Sequence, residues 1–135
     1  MAKSSGLGIT TLSVDDATNT QQAIKNDFTD FKLSTPRAVQ DITGVDKSAW
    51  ERLLLLADCS FTLNGVFDGA SNMAHAVFST IPSTSVNRLV TLVMNAKTLA
   101  PTLVLTDYQI TRAVGGALTF SVPGSLANGV VPTWS

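Results

Sequence analysis

Few residues in this chain could do chemistry, and their spacing assembles no reactive set. His75 is the sole histidine and Cys59 the sole cysteine. Metal centres built on two or more imidazoles are therefore excluded, and a Ser-His-Asp set would hang on one residue. His75 falls in "SNMAHAVFST", which reads as a surface helix with no neighbour to orient the ring as a base. Cys59 follows Asp58 in an apolar strand and reads as a small buried hydrophobe. The chain has no G-x-S-x-G elbow, no phosphate-binding glycine loop and no cysteine pair for zinc. "DDATNT", Asp15 to Thr20, has the outline of a calcium loop but lacks the glycine and the closing glutamate. It reads as a solvated loop. Aromatic residues make up 7%, too few to suggest a stacking platform for sugars or single-stranded bases. The expectation is a protein that is not an enzyme and that carries no cofactor or metal.

Composition turns attention from chemistry to surfaces. The 135 residues suffice for one domain with a real core. Charged residues make up 14%, against roughly 25% in an average soluble domain, and the mean hydropathy is +0.25. So little charge leaves either a membrane span or a surface meant to be buried against other copies. The longest uncharged run, Ala113 to Ser135, is broken by Gly115, Gly116, Pro123, Gly124, Gly129 and Pro132 and cannot be a spanning helix. "MAKSSGLGITT" at the start has no apolar segment of a secretory signal. One cysteine makes no internal disulfide, which fits synthesis in a reducing cytoplasm. Residues 1–68 carry six basic and nine acidic side chains, and residues 69–135 three basic and one acidic. That opposition hints at subunits meeting head to tail. A net charge of −1 with no Lys/Arg stripe argues against a dedicated nucleic-acid binder.

The elements read mainly as strands. Ile9–Val14, Ala38–Thr43, Val86–Met94, Thr102–Arg112 and Ala117–Val122 are β-rich, with Gly115-Gly116 as a tight hairpin between the last two. Asp15 to Pro36 reads as a long polar connection whose larger apolar residues are Ile24, Phe28, Phe31 and Leu33. In "DKSAWERLLLLAD", Ser48 and Glu51 fit a capping box, so a helical turn is expected over Asp46 to Arg52. Leu53 to Leu56 either continues that turn or starts a strand. Trp50 reads as core. A second helix is expected over Ser71 to Thr80, capped by Ser71 or Asn72 and stopped by Pro82. The tail "PGSLANGVVPTWS" suggests a short edge strand, and Trp134 either clamps its own domain or anchors in a neighbour. Asn64-Gly65 alone signals a hairpin, but the return arm ends after three residues. Leu55 to Phe67 is therefore expected as one long strand, with Gly65 marking a bulge or a close backbone approach. The sum is a β-sandwich or small barrel with one helix packed on it.

Three stretches give this pattern a family likeness: "DITGVDKSAWERLLLLAD" (Asp41 to Asp58), "FTLNGVFDGASNMAHAVFST" (Phe61 to Thr80) and the block from Val86 to Trp134. In this order they resemble the major tail proteins, or tail tube proteins, of long-tailed bacteriophages, especially those infecting actinobacteria. The likeness covers roughly Arg37 to the end. It implies a single tail tube domain over residues 1–135, a two-sheet β-sandwich or barrel with one flanking helix. Six copies would form a ring, and stacked rings a tube through which double-stranded DNA leaves without being specifically bound. Further partners would be other tail proteins, such as tape measure and terminator proteins. The location would be the virion tail, and the host cytoplasm before assembly, with no membrane insertion of this chain. Long loops and the N-terminal segment would bridge subunits. Asp15 to Pro36, with Phe28, Phe31 and Leu33, would be the arm that clasps a neighbour, and Trp134 is a further interface candidate. Asp41, Asp58 and Asp107 are candidates to line the lumen, since a conduit should not grip phosphates. The alternative is a β-sandwich module that recognises a glycan or protein surface, which would call for an exposed aromatic cluster on one sheet face.

Overall fold

The strands are short because glycine, proline and asparagine interrupt the apolar alternation every few residues. A computed structural model describes residues 9–135; the first eight positions of the N-terminal segment, for which the likeness implies bridging, lie outside the described residues. One wing is built from β1 (Ile9–Asp15), β2 (Gln21–Ala23), β7 (Arg88–Met94) and β8 (Lys97–Leu99). The other comprises β3 (Phe28–Ser34), β6 (Ser60–Val66), β9 (Thr102–Leu105), β10 (Gln109–Arg112) and β11 (Leu118–Leu126). The strands run β2-β1-β7-β9-β11-β6-β3, with β8 beside β7 and β10 beside β11. The corner is β7: Arg88 and Leu89 pair with β9, while Leu92 to Met94 pair with β8.

Alternation then places one face of each wing inside. Leu12, Val14, Val90 and Leu92 from the first wing and Phe61, Leu63, Phe120 and Val122 from the second join one buried cluster. This is the mainly β architecture with a flanking helix that the sequence suggested. The helix, α1 (Ala74–Phe78), buries Ala74, Val77 and Phe78. The Phe78 ring meets the rings of Phe120 and Tyr108 at 5.5 and 5.8 Å.

Several expectations are corrected. Asp15 to Pro36 is not a bare connection, because it supplies β2, β3 and the fully buried Ile24. A bulge conceals β3 in the sequence: Phe28 pairs with Gly65 and Asp30 with Asn64, so Thr29 is an extra residue. That extra residue makes Phe28 and Phe31 share a face despite their spacing of three. Asp46 to Arg52 is not helical. The Thr43 hydroxyl accepts the Glu51 N–H at 2.8 Å, and the Ile42 N–H reaches the Glu51 carbonyl at 3.0 Å. Glu51 is thereby held in a ladder rather than a capping box. Leu55 to Phe67 is two strands, β5 (Arg52–Ala57) and β6, broken where the Asp58 carboxylate accepts the Cys59 N–H. Thr102 to Arg112 divides into β9 and β10.

The helix does not use Ser71 or Asn72 as its cap, since Met73 occupies that position without a side-chain bond. Asp27 supplies the missing acceptor from another element, taking the Ala74 N–H at 3.0 Å. Pro123 lies within β11, not on an edge. It falls in the gap between the stretch of β11 paired to β10, which ends at Ser121, and that paired to β9, which begins at Gly124. The tail returns to the sheet at its last residue, where Ser135 and Thr98 exchange two backbone bonds of 2.9 and 3.0 Å.

Candidate assembly surface

Phe28, Phe31 and Leu33 lie on the inward side of β3, opposite Gly65, Leu63 and Phe61. Phe31 stacks on Phe61 at 5.5 Å and meets Phe28 at 6.0 Å. All three are half-buried against the chain's own core. Trp134 is half-exposed beside the Ser135–Thr98 pair. The three lumen candidates sit on separate elements. Asp41 ends β4 (Arg37–Asp41), where the Thr43 hydroxyl and N–H hold its carboxyl below the usual range. Asp58 lies exposed between β5 and β6, and Asp107 in the loop from β9 to β10 accepts bonds from the Tyr108 N–H and the Gln109 amide.

The reactive-looking residues are taken up by structure. Nδ1 of His75 is 3.2 Å from the Tyr108 hydroxyl, and its ring packs 4.7 Å from Phe67. Cys59 is fully buried, and burial, then the nearby Asp58 charge, pushes its thiol up. The Asp16 carboxylate accepts the Thr18 hydroxyl at 2.7 Å and the Thr18 and Thr20 N–H groups at 2.9 and 3.1 Å. "DDATNT" is thus a self-tied turn, and its carboxyl is lowered to about 2, chiefly by Thr18 and Thr20. Among the described residues, no three His, Cys, Asp or Glu side chains are grouped to hold a metal, and no helix is long and apolar enough to cross a membrane.

Beneath the helix lies a buried polar knot. The Arg88 guanidinium, 1% exposed, donates to the Val77 carbonyl at 2.6 Å, the Asp15 carbonyl at 3.2 Å and the Thr80 hydroxyl at 2.8 Å. Burial pulls its pKa down, against the nearby Asp16 and Asp15 charges. Asp15 in turn accepts bonds from the Gln21 side chain and the Leu89 N–H. Among the described residues no buried side-chain nitrogen or oxygen lacks a hydrogen-bond partner, so the knot closes the helix end onto the first wing rather than offering a site.

What stands outside this closed unit is the β4–β5 hairpin, a two-stranded sheet of its own. Val39 pairs with Leu54, Gln40 with Leu53 and Asp41 with Arg52. The Asp58 N–H donates to the Pro36 carbonyl at 2.8 Å and the Arg37 guanidinium to the Leu55 carbonyl, fixing the base of the hairpin. Leu54 and Leu56 are 57% and 87% exposed, and Leu53 and Leu55 are also exposed. Trp50, expected in the core, is 68% exposed, with the Arg52 guanidinium 5.4 Å from its ring. A lone two-stranded hairpin is marginal in water, and an apolar surface of this extent marks a place of contact. The sequence signal was available: four consecutive leucines bounded by Glu51-Arg52 and Asp58 in a chain short of charge.

No protein-family model and no curated protein matches this sequence. Solved structures do match. A chain from the structure described as the virion of a native gene transfer agent particle has a TM-score of 0.76 and 14% identity, over 99% of both chains. A chain from the tail of an empty gene transfer agent particle, refined helically with C6 symmetry, has a TM-score of 0.72 and 14% identity, over 98% of both. At that identity the likeness is one of fold, and it spans the whole domain.

Proposed function

We propose that this chain is a structural tail subunit that assembles into six-membered rings, which stack into a tube conducting double-stranded DNA out of a virion. The observation that carries the reading is the apolar hairpin outside a closed core, in a fold shared end to end with a chain of a six-fold tail. The hairpin needs a cover that one copy does not supply, and a ring of identical copies offers one to each. Phe28, Phe31, Leu33 and Trp134, half-buried or half-exposed in one copy, are the secondary contacts of such a ring. Tape measure and terminator proteins would be the further partners, and the virion tail its place, after synthesis in the host cytoplasm. A glycan- or protein-binding module would need grouped aromatics. Trp50 and Trp134, the exposed aromatic residues among those described, belong to the hairpin and the tail and form no cluster on a sheet face.

Negative-stain imaging of the purified chain, with mass by light scattering, tests the proposal. Six-fold rings or tubes are expected. A monodisperse monomer at high concentration would refute it and favour the binding module.

A further inference from the structure

Asparagine followed by glycine is the dipeptide most open to attack of the main chain on a side-chain amide, because glycine has no Cβ to hinder the approach of its nitrogen. Seven asparagines occur in this chain, and two of them, Asn64 and Asn128, precede glycine. The fold treats the two in opposite ways. Asn64 lies within β6, which is paired on one side to β11 and on the other to β3. Gly65 is buried, with the Asp27 carbonyl oxygen and the Phe120 ring pressed against it. The Asn64 amide is held besides, donating to the Asp30 carboxylate at 2.6 Å. Neither residue can turn toward the other without breaking the ladder. Asn128, in contrast, lies in the tail after β11, exposed together with Gly129 and Val130. Gly129 has a φ of +74°, and nothing stands within 4 Å of where its Cβ would be. The Val130 N–H donates to Oδ1 of Asn128 at 3.1 Å. That bond folds the side chain back over the next residue and aims a donor at the oxygen on which charge builds during attack at Cγ.

We propose that Asn128–Gly129 is a self-modification site, at which the folded chain loses ammonia and acquires a carboxylate. The Gly129 nitrogen gives its proton to hydroxide and attacks Cγ of Asn128. The N–Cγ bond forms, the Cγ–Nδ2 bond breaks, and Nδ2 leaves as ammonia with a proton from water. A water molecule then opens the resulting cyclic imide, its hydroxyl going to carbon and its proton to the Gly129 nitrogen. Opening at Cγ leaves aspartate. Opening at the main-chain carbonyl carbon leaves isoaspartate, whose backbone runs through the former side chain and is a carbon longer. Nothing is oxidised or reduced, and solvent is the only co-reactant. The place of the site gives the product a consequence. The tail beyond β11 is tied at both ends, by the Ala127 N–H on the Thr102 carbonyl at 3.0 Å and by the Ser135–Thr98 pair. A lengthened backbone does not fit between two fixed ends, so isoaspartate loosens the hold of the tail on β8 and with it the seat of Trp134.

Peptide mapping by mass spectrometry tests this, on the full chain incubated in mildly alkaline buffer with and without urea. In urea both asparagines should convert. In the folded chain Asn128 should convert about as fast as in urea, giving a mixture of aspartate and isoaspartate. Asn64 should be slower there by roughly ten-fold or more, because it waits for the ladder to open. An Asn128 that stays an amide in the folded chain while converting in urea, or a folded-state Asn64 that keeps pace with it, would overturn the proposal. Gly129→Ala, with open space around the new methyl, should slow conversion by a similar factor; an unchanged rate would also overturn it. The consequence has its own readout. The isoaspartate form, separated by chromatography, should show faster hydrogen exchange at the Thr98 and Ser135 amides than the fresh chain. Asn128→Asp, which carries the charge on an unlengthened backbone, should exchange as the fresh chain does. Equal exchange in all three, or fast exchange in Asn128→Asp as well, would overturn the loosening by backbone length.

Discussion

At the residue scale, two positions show how tightly the fold specifies its side chains. A Cβ on Gly65 would lie 2.3 Å from the Asp27 carbonyl oxygen and 2.6 Å from the Phe120 ring. The backbone oxygen cannot step aside, because it accepts the Val66 N–H at 2.7 Å. Gly65→Ala should therefore destabilise the chain by about 3 kcal/mol, read as a lower urea midpoint. At Gly124 the nearest obstacle is a Leu105 methyl at 2.9 Å, the end of a flexible side chain, so Gly124→Ala should cost about 1 kcal/mol. Asp27 makes the second case. Burial pushes its carboxyl above the ordinary range, with Asp68 acting the same way and the Ala74 N–H pulling against them. The folded state then holds this proton more tightly than the unfolded state. Asp27 therefore adds stability as pH falls through its raised pKa toward the ordinary carboxyl value of 3.8 and detracts from stability at neutral pH. Asp27→Asn keeps an oxygen for the Ala74 N–H and should be at least as stable as wild type near pH 7, without the local gain on acidification. Asp27→Ala orphans that N–H and should lose about 1–3 kcal/mol. Urea midpoints taken between about pH 7 and pH 4.5 separate the two variants. Asp16 has the opposite sign: its lowered carboxyl stabilises above 3.8, and that contribution is lost as pH falls through about 2.

At the element scale, the hairpin carries the sharpest prediction. Removing a leucine side chain from water contributes about 1.5–3 kcal/mol, so replacing two at an interface should weaken association by more than two decades. Leu54→Asp/Leu56→Asp should leave monomer stability within about 0.5 kcal/mol of wild type, since both side chains are exposed in one copy. Rings and tubes should be lost by light scattering. A variant that still forms rings would free the hairpin of this role. The same element marks where reading the sequence stopped. Leu53 to Leu56 carries no period, so helix and strand were equal candidates, and the Thr43–Glu51 bonds that decide the matter link residues eight apart. The strands Ile9–Asp15 and Arg88–Met94 were legible because β-branched and apolar residues crowd them, even though a register shift between Ile9 and Thr11 and the adjacent Leu89 and Val90 spoil strict alternation. Phe28–Ser34 was not, because the bulge at Thr29 breaks the period of two. No local pattern foretells that Asp27 caps a helix 47 residues away or that Arg88 is buried under it. Such partners are set by packing. The exposure of Trp50 escaped for a related reason: large aromatics are usually interior, and this one lies on the exposed loop of the β4–β5 hairpin.

At the scale of the whole molecule, the topology revises the electrostatics. The two sequence halves differ in charge, yet β1 pairs with β7 and β6 with β11, so each wing contains strands from both halves. The opposition along the chain is thus interleaved in space and does not make a molecule with one acidic and one basic end. The hairpin is itself balanced, carrying Arg37, Lys47 and Arg52 against Asp41, Asp46 and Glu51. Charge steering between copies should therefore be weak, and the exposed charges are screened within about 8 Å at physiological salt. In the proposed ring the contact that remains is apolar, and apolar association is strengthened by excluded salts such as sulfate. Assembly followed by light scattering should hence persist as sodium chloride is raised and become more complete in sulfate at equal ionic strength. Disassembly by moderate sodium chloride would return the decisive role to charge. The Leu54→Asp/Leu56→Asp chain should stay unassembled in both salts, which separates a lost apolar contact from a screened electrostatic one.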